Sequence, residues 1–179
     1  MATINGITIK SYKTFSGIEY PTIRECNVWK DGKKIGTFRE DEWGGENHMT
    51  EGLKELVKPS ALQYQTGCKD NWRKEFENSS DSFICHVLDL AEYEKIYKSI
   101  CKKGFPVTII LGNSFKYIAY RFLKPIDIDN ESNLPKIIKD DIKKEFKEGN
   151  HWLAMFTSEN DFNITVDKNN PVPNYLDRE

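Results

Sequence analysis

The residues whose chemistry must be weighed first in this 179-residue chain are three histidines, four cysteines and several runs of carboxylates. His48, His86 and His151 fall in separate segments, and Cys85 and His86 are adjacent, so on a strand they point to opposite faces. Tetrahedral zinc is usually held by paired ligands at short spacing, and no such pair occurs; no metal and no cofactor is expected. A nucleophilic cysteine acts as thiolate and needs an electropositive, partly open setting. Cys85 sits instead in the apolar run Phe83-Ile84-Cys85-His86-Val87-Leu88, which raises a thiol pKa, and Cys26 has no flanking pattern of a sharp, exposed nucleophile. Acids cluster at Glu40-Asp41-Glu42, at Asp127, Asp129 and Glu131, and at Asp140-Asp141. A divalent-cation site needs two or three of them converging from strand ends, whereas solvated loops explain all three groups more simply. The 127–131 run also lacks the glycine that a calcium loop needs, since Ser132 stands there. Gly44-Gly45 lacks the other glycine and the Lys-Ser/Thr pair of a phosphate-binding loop. With no catalytic set in view, the expected class is non-enzymatic.

Nucleic-acid contact is the remaining chemical option. Lys10, Lys13, Lys30, Lys33, Lys34 and Arg39 are interleaved with Tyr12, Trp29 and Phe38. Cations among aromatics suit a single-strand or backbone-binding surface, and they equally suit an ordinary solvated strand face. Net charge does not favour a dedicated DNA binder, because Lys+Arg (26) and Asp+Glu (28) leave −2.

The elements that must position these groups begin with Asp31-Gly32, set between the β-leaning runs Thr22–Lys30 and Lys33–Glu40. The pair suits a two-residue type I′ turn, where both central residues take positive φ. That turn predicts Lys30 opposite Lys33, Trp29 opposite Lys34, Val28 opposite Ile35, Asn27 opposite Gly36 and Cys26 opposite Thr37. Cys26, Val28 and Ile35 then share one face, and Ile23, Trp29 and Phe38 the other. Ile7–Phe15 alternates with a slip between Ile9 and Tyr12, which predicts a first strand with a bulge. Glu40–Met49 is the least regular stretch. Trp43 within it is either a packing anchor or an exposed contact, and the size of the ring favours packing.

Further along, 50–57 reads as a short helix stopped before Pro59, and 70–77 as helical. Phe83–Leu88 reads as a short buried strand, the alternative being an early helix turn, with Asp89 capping a helix that starts at Leu90. A second hairpin joins Pro106–Leu111 to Phe115–Leu123; a turn at Asn113-Ser114 pairs Ile109 with Ile118 and Val107 with Tyr120. Lys136–Glu148 is a surface helix with Ile138, Ile142 and Phe146 plus Ile137 on its stripe. His151–Thr157 is a last buried strand, Phe162–Val166 a short edge strand and 171–179 a loose tail.

With 38% hydrophobic residues and no Pro/Gly/Ser-rich linker, the expectation is one domain over 1–179, comprising a hairpin region 4–45, an α/β remainder 50–166 and a tail from 167. Its class is α+β: a mainly antiparallel sheet built from two β-hairpins, with helices packed on one face. No run approaches the ~20 apolar residues of a spanning helix and no leader pattern opens the chain, so a cytoplasmic protein with reduced cysteines and no membrane partner is expected.

One resemblance goes beyond this. Ile4-Asn5-Gly6, Ile9-Lys10-Ser11, Lys13-Thr14-Phe15, Asp31-Gly32-Lys33-Lys34-Ile35-Gly36 and Asp41-Glu42-Trp43-Gly44-Gly45 together look like the start of small proteins carried by phages and mobile elements of AT-rich Gram-positive bacteria. Some of these resemble anti-CRISPR inhibitors of type II, Cas9-kind effectors. The likeness covers residues 4–45. It implies a non-enzymatic inhibitor of a bacterial immune nuclease whose partner is the CRISPR effector or its guide RNA complex. The contact residues expected on that footing are Lys34, Arg39, Asp41, Glu42 and Trp43, at the exit of the first hairpin. The alternative is a nucleic-acid-binding accessory protein of a mobile element, using Lys10, Lys13, Lys30 and Lys33.

Overall fold

Asp31 and Gly32 both adopt positive φ, 49° and 77°, and close a two-residue turn between β3 (Ile23–Lys30) and β4 (Lys33–Arg39). The computed structural model describes residues 1–17, 22–67, 80–105, 107–112, 117–124, 134–147 and 154–169. Beside β3 lies β2 (Ile7–Phe15), with the expected irregularity between Lys10 and Lys13, where Ser11 takes φ 52°. The pairing around the turn follows expectation for Lys30–Lys33 and Trp29–Lys34 and then departs from it. A bulge at Ile35 sets Val28 opposite Gly36, Asn27 opposite Thr37 and Cys26 opposite Phe38. The predicted partners Ile35, Gly36 and Thr37 are each displaced by one residue.

Packing explains the slip. It gathers Cys26, Val28, Gly36 and Phe38 on the buried face and leaves Ile35 half-buried and Trp29 on the other side. A side chain at position 36 would lie 3.1 Å from Leu53, so glycine admits the close approach of α1 (Leu53–Thr66).

That helix is longer than the sequence suggested and carries Pro59 inside it. Leu53, Val57, Ala61 and Tyr64 form one buried stripe, while Pro59 is exposed. Burial of the stripe on both sides of the proline outweighs the one lost amide bond, and the freed carbonyl can meet water.

The sheet is completed by β1 (Thr3–Ile4), β5 (His48–Met49) and β9 (Asn163–Ile164), in the order β5-β4-β3-β2-β1-β9; only β1–β9 is parallel. The expected edge strand near 162–166 is thus present. Asn5 fastens it: its side chain donates to Ser60 O and Val166 O at 3.1 Å and accepts from Val166 N at 2.8 Å.

The strand expected at Phe83–Leu88 is instead helical. α2 runs from Ser80 to Cys101 and buries Phe83, Ile84, Val87, Leu88 and Leu90. Those five recur at helical spacing, and Asp89 lies mid-helix rather than at a cap. Its carboxylate meets Arg24 of β3 instead.

The second sheet has the order β7-β6-β8, from β6 (Val107–Gly112), β7 (Tyr117–Phe122) and β8 (Ala154–Phe156). Ile109 faces Tyr120 and Val107 faces Phe122, two residues from the predicted register, which leaves four residues between the last pair, Gly112–Tyr117. A shift of two keeps every side chain on its expected face. Ile109, Leu111 and Tyr120 pack with Leu134 and with Ile138 of α3 (Lys136–Lys147), with Ile142 half-buried beside them. On the other face, Tyr93 of α2 touches Phe156 and Tyr117 at centroid distances of 6.0 and 6.1 Å.

The class is α+β with mostly antiparallel pairing, as expected, and the two hairpins lie in separate sheets. The chain forms two compact units, Met1–Ala91 with Phe162–Val172, and Glu92–Asp161 with Pro173–Glu179; α2 begins in the first and ends in the second. The readings of 70–77 as a helix, of the acids at 127–131, of Cys68, His151 and the 171–179 tail lie outside the described residues.

Candidate functional site

The exit of β4 is where the structure gathers most of the residues singled out from the sequence. Asp41 organises the loop: its Oδ2 accepts from the backbone N–H of Trp43 at 2.9 Å and of Gly45 at 2.7 Å. Its own N–H donates to Asn47 Oδ1 at 3.1 Å, and His48 Nε2 lies 3.4 Å from Oδ1. The amides of Gly45 and Trp43 hold the Asp41 carboxyl below the usual aspartate range, because they stabilise its charged form. Asp41 therefore faces the loop's own backbone and positions its neighbours.

Trp43 is displayed on this loop. It is 61% exposed, which overturns the packing role that ring size favoured. The loop's polar turn is satisfied by Asp41 and Asn47, so no apolar anchor is needed to hold it. Beside it Glu42 pairs with Arg39, whose guanidinium also lies 5.7 Å from the ring centroid of Phe15. Arg39, Asp41, Glu42 and Trp43 form one group. Lys34 does not join them, since it stands five residues back along β4, about 16 Å at strand spacing.

The strand pairings sort the cations into two faces. Lys10, Lys13, Lys34 and Arg39 pair with Asn27, Glu25, Trp29 and Glu25 respectively, all odd-numbered on β3 and hence on the side away from Cys26 and Val28. Lys10 Nζ sits 3.9 Å above the Trp29 ring. Lys30 and Lys33 face one another across the turn on the opposite parity. The four lysines expected to act together are thus divided two and two.

Arg24 was not anticipated. It shares the inner face with Cys26 and Val28 and meets two carboxylates: Glu40, at 2.9 Å from Nε and 2.6 Å from Nη2, and Asp89 at Nη1. The Arg24 backbone N–H also donates to Glu40 Oε2 at 2.8 Å. Burial lowers the guanidinium pKa, but hydrogen bonds and charge from Glu40 and Asp89 outweigh it and raise it overall. Burial raises the Asp89 carboxyl, against the pull of Arg24. The signal was legible: an arginine at inner parity in an apolar strand requires buried acids.

Cys85 lies 3.9 Å from Glu40 Oε1, and burial pushes its thiol up to about 12, as it does that of Cys26. Both hold their protons at neutral pH, unlike an activated nucleophile. Cys26, Cys85 and Cys101 are free thiols. Among the described residues no three His, Cys, Asp or Glu side chains cluster as a metal ion needs, and no helix is long and apolar enough to cross a membrane.

No protein-family model, curated protein or solved structure matches the chain.

Proposed function

We propose that the protein is a non-enzymatic inhibitor of a bacterial immune nuclease, binding a type II CRISPR effector of the Cas9 kind, or its guide RNA complex, in the bacterial cytoplasm and blocking its engagement of DNA. The observation that carries this reading is the display of Trp43, 61% exposed on a loop whose backbone is already fixed by Asp41. Tryptophan is enriched among the residues that dominate protein interfaces, and a loop ordered before binding loses little entropy on binding. The Arg39–Glu42 pair supplies charge on the residues that lead into the loop. Residues 4–45 resemble small phage and mobile-element proteins, some of which resemble anti-CRISPR inhibitors, and that resemblance supplies the partner class.

Gel filtration of the full chain with a guide-loaded Cas9-kind effector tests the proposal, together with a DNA cleavage assay. Co-elution and reduced cleavage are the expected results. Trp43→Ala should weaken binding by about 30-fold, the equivalent of about 2 kcal/mol at an interface anchor, with the fold intact because the ring is exposed. A chain that neither co-elutes nor lowers cleavage overturns the function. Unchanged affinity in Trp43→Ala overturns the site.

A further inference from the structure

The side of the first sheet away from α1 has a composition that the loop does not explain. Its two aromatics each lie beside a cation: Trp29 under Lys10 Nζ at 3.9 Å, and Phe15, 42% exposed, beside Arg39 at 5.7 Å. Pairing of Thr8 with Trp29 and of Phe15 with Ile23 places the two rings on one face, six residues apart along β3, or about 20 Å. Lys13 and Lys34, both exposed, lie on the same face; the acids there are Glu25, opposite Lys13 and Arg39, and Glu42, which pairs with the Arg39 guanidinium. One further detail favours a ligand here. Lys30 and Lys33 have the opposite parity, so the charge on this face does not simply follow the basic composition of the hairpin.

We infer that this face binds a single-stranded nucleic acid. A base stacking on Trp29 would displace the Lys10 ammonium from the ring toward a phosphate, and Arg39 and Phe15 would repeat the arrangement at the other end. Stacking plus backbone charge is the way sequence-tolerant single-strand sites bind. A span of about 20 Å accommodates roughly six nucleotides at a stacked spacing of about 3.4 Å. The inference does not rest on the inhibitor reading, and Trp43 has no part in it.

Fluorescence anisotropy with a labelled 12-nucleotide oligo-dT tests it on the full chain. Binding is expected at about 50 mM salt, with log K falling against log salt at a slope of about −2, from about three phosphates neutralised. Lys10→Glu/Lys34→Glu should weaken it at least tenfold, while Lys30→Glu/Lys33→Glu and Trp43→Ala change it less than threefold. Trp29→Leu, if folded by circular dichroism, should lose affinity for the single strand. Should it misfold, Phe15→Ala at the far exposed ring serves the same purpose. No binding at about 50 mM salt overturns the inference. So do equal losses from the two lysine pairs, or a duplex of the same length bound as tightly as the single strand.

Discussion

The two hairpins close differently. Between β3 and β4 two residues with positive φ make the turn, and the ladder then absorbs one extra residue at Ile35. Between β6 and β7 four residues follow the last pair, and the ladder runs from Gly112–Tyr117 to Val107–Phe122 without a slip. A tight turn dictates pairing only as far as packing allows. In the first hairpin the approach of Leu53 to Gly36 and the demand for Phe38 on the buried face impose a bulge three residues from the turn. In the second the buried cluster on α3 is served by an unbroken alternation. Turn chemistry governs locally, and the face a hairpin must bury governs beyond the turn.

The polar ties to the helices separate the hairpins most sharply. Arg24→Ala removes the cation from between Glu40 and Asp89 and should destabilise by about 3 kcal/mol, the lower end for stranding buried charge. Tyr120→Phe removes only a hydroxyl that donates to Asp141 and should cost about 1 kcal/mol. Urea denaturation measures both, and similar losses would erase the distinction. Next in size is Gly36→Val, which introduces side-chain atoms against Leu53 and should cost about 2 kcal/mol through overpacking. If pairing of the first hairpin is set by the turn alone, this variant will be nearly neutral.

Gly32→Ala tests the turn by itself. With no atom within 4 Å of the new Cβ, the cost is backbone strain at φ 77°, about 1 kcal/mol. Thermal unfolding should shift accordingly, with the bulge at Ile35 retained in the amide pattern.

The smallest effect concerns two loop carboxylates, Asp41 after the first hairpin and Asp161 after β8. Asp161 is pushed up by burial but pulled further down by the amides and hydroxyls of Thr157 and Ser158, so its pKa is lowered, as is that of Asp41. A depressed carboxylate stabilises the fold above its unfolded value of about 3.9 and stops doing so as pH falls through the lower folded value. Amide exchange at Trp43, Gly45, Thr157 and Ser158 should therefore quicken, relative to intrinsic rates, below about pH 4. Protection that stays flat to about pH 2 would show that the carboxylates do not hold these loops.

Elements whose instructions are local were legible. Asp31-Gly32, the irregularity in β2 and the helix after Pro135 all follow from neighbours in sequence. The errors lie where a local rule met a distant partner. Pro59 stayed inside α1 because residues on both sides of it are buried, and Asp89 read as a cap because an aspartate before Leu-Ala-Glu fits one. In the candidate site, Arg39, Asp41, Glu42 and Trp43 fall within one five-residue stretch, 39–43, so their grouping was readable. The separation of Lys34 from them follows from its distance along β4, and that of Lys10 and Lys13 from Lys30 and Lys33 depends on strand parity across the bulge in β2.

The sequence by itself determined the class, the places where the chain reverses and the stretch that could carry a contact loop, because turn residues and short-range periodicity act over a few bonds. Tertiary structure alone decided the partner of Asp89, 65 residues from Arg24. It likewise decided the register beyond Trp29–Lys34 and the exposure of Trp43. Each depends on which surfaces must exclude water together, and that is settled by residues far apart along the chain.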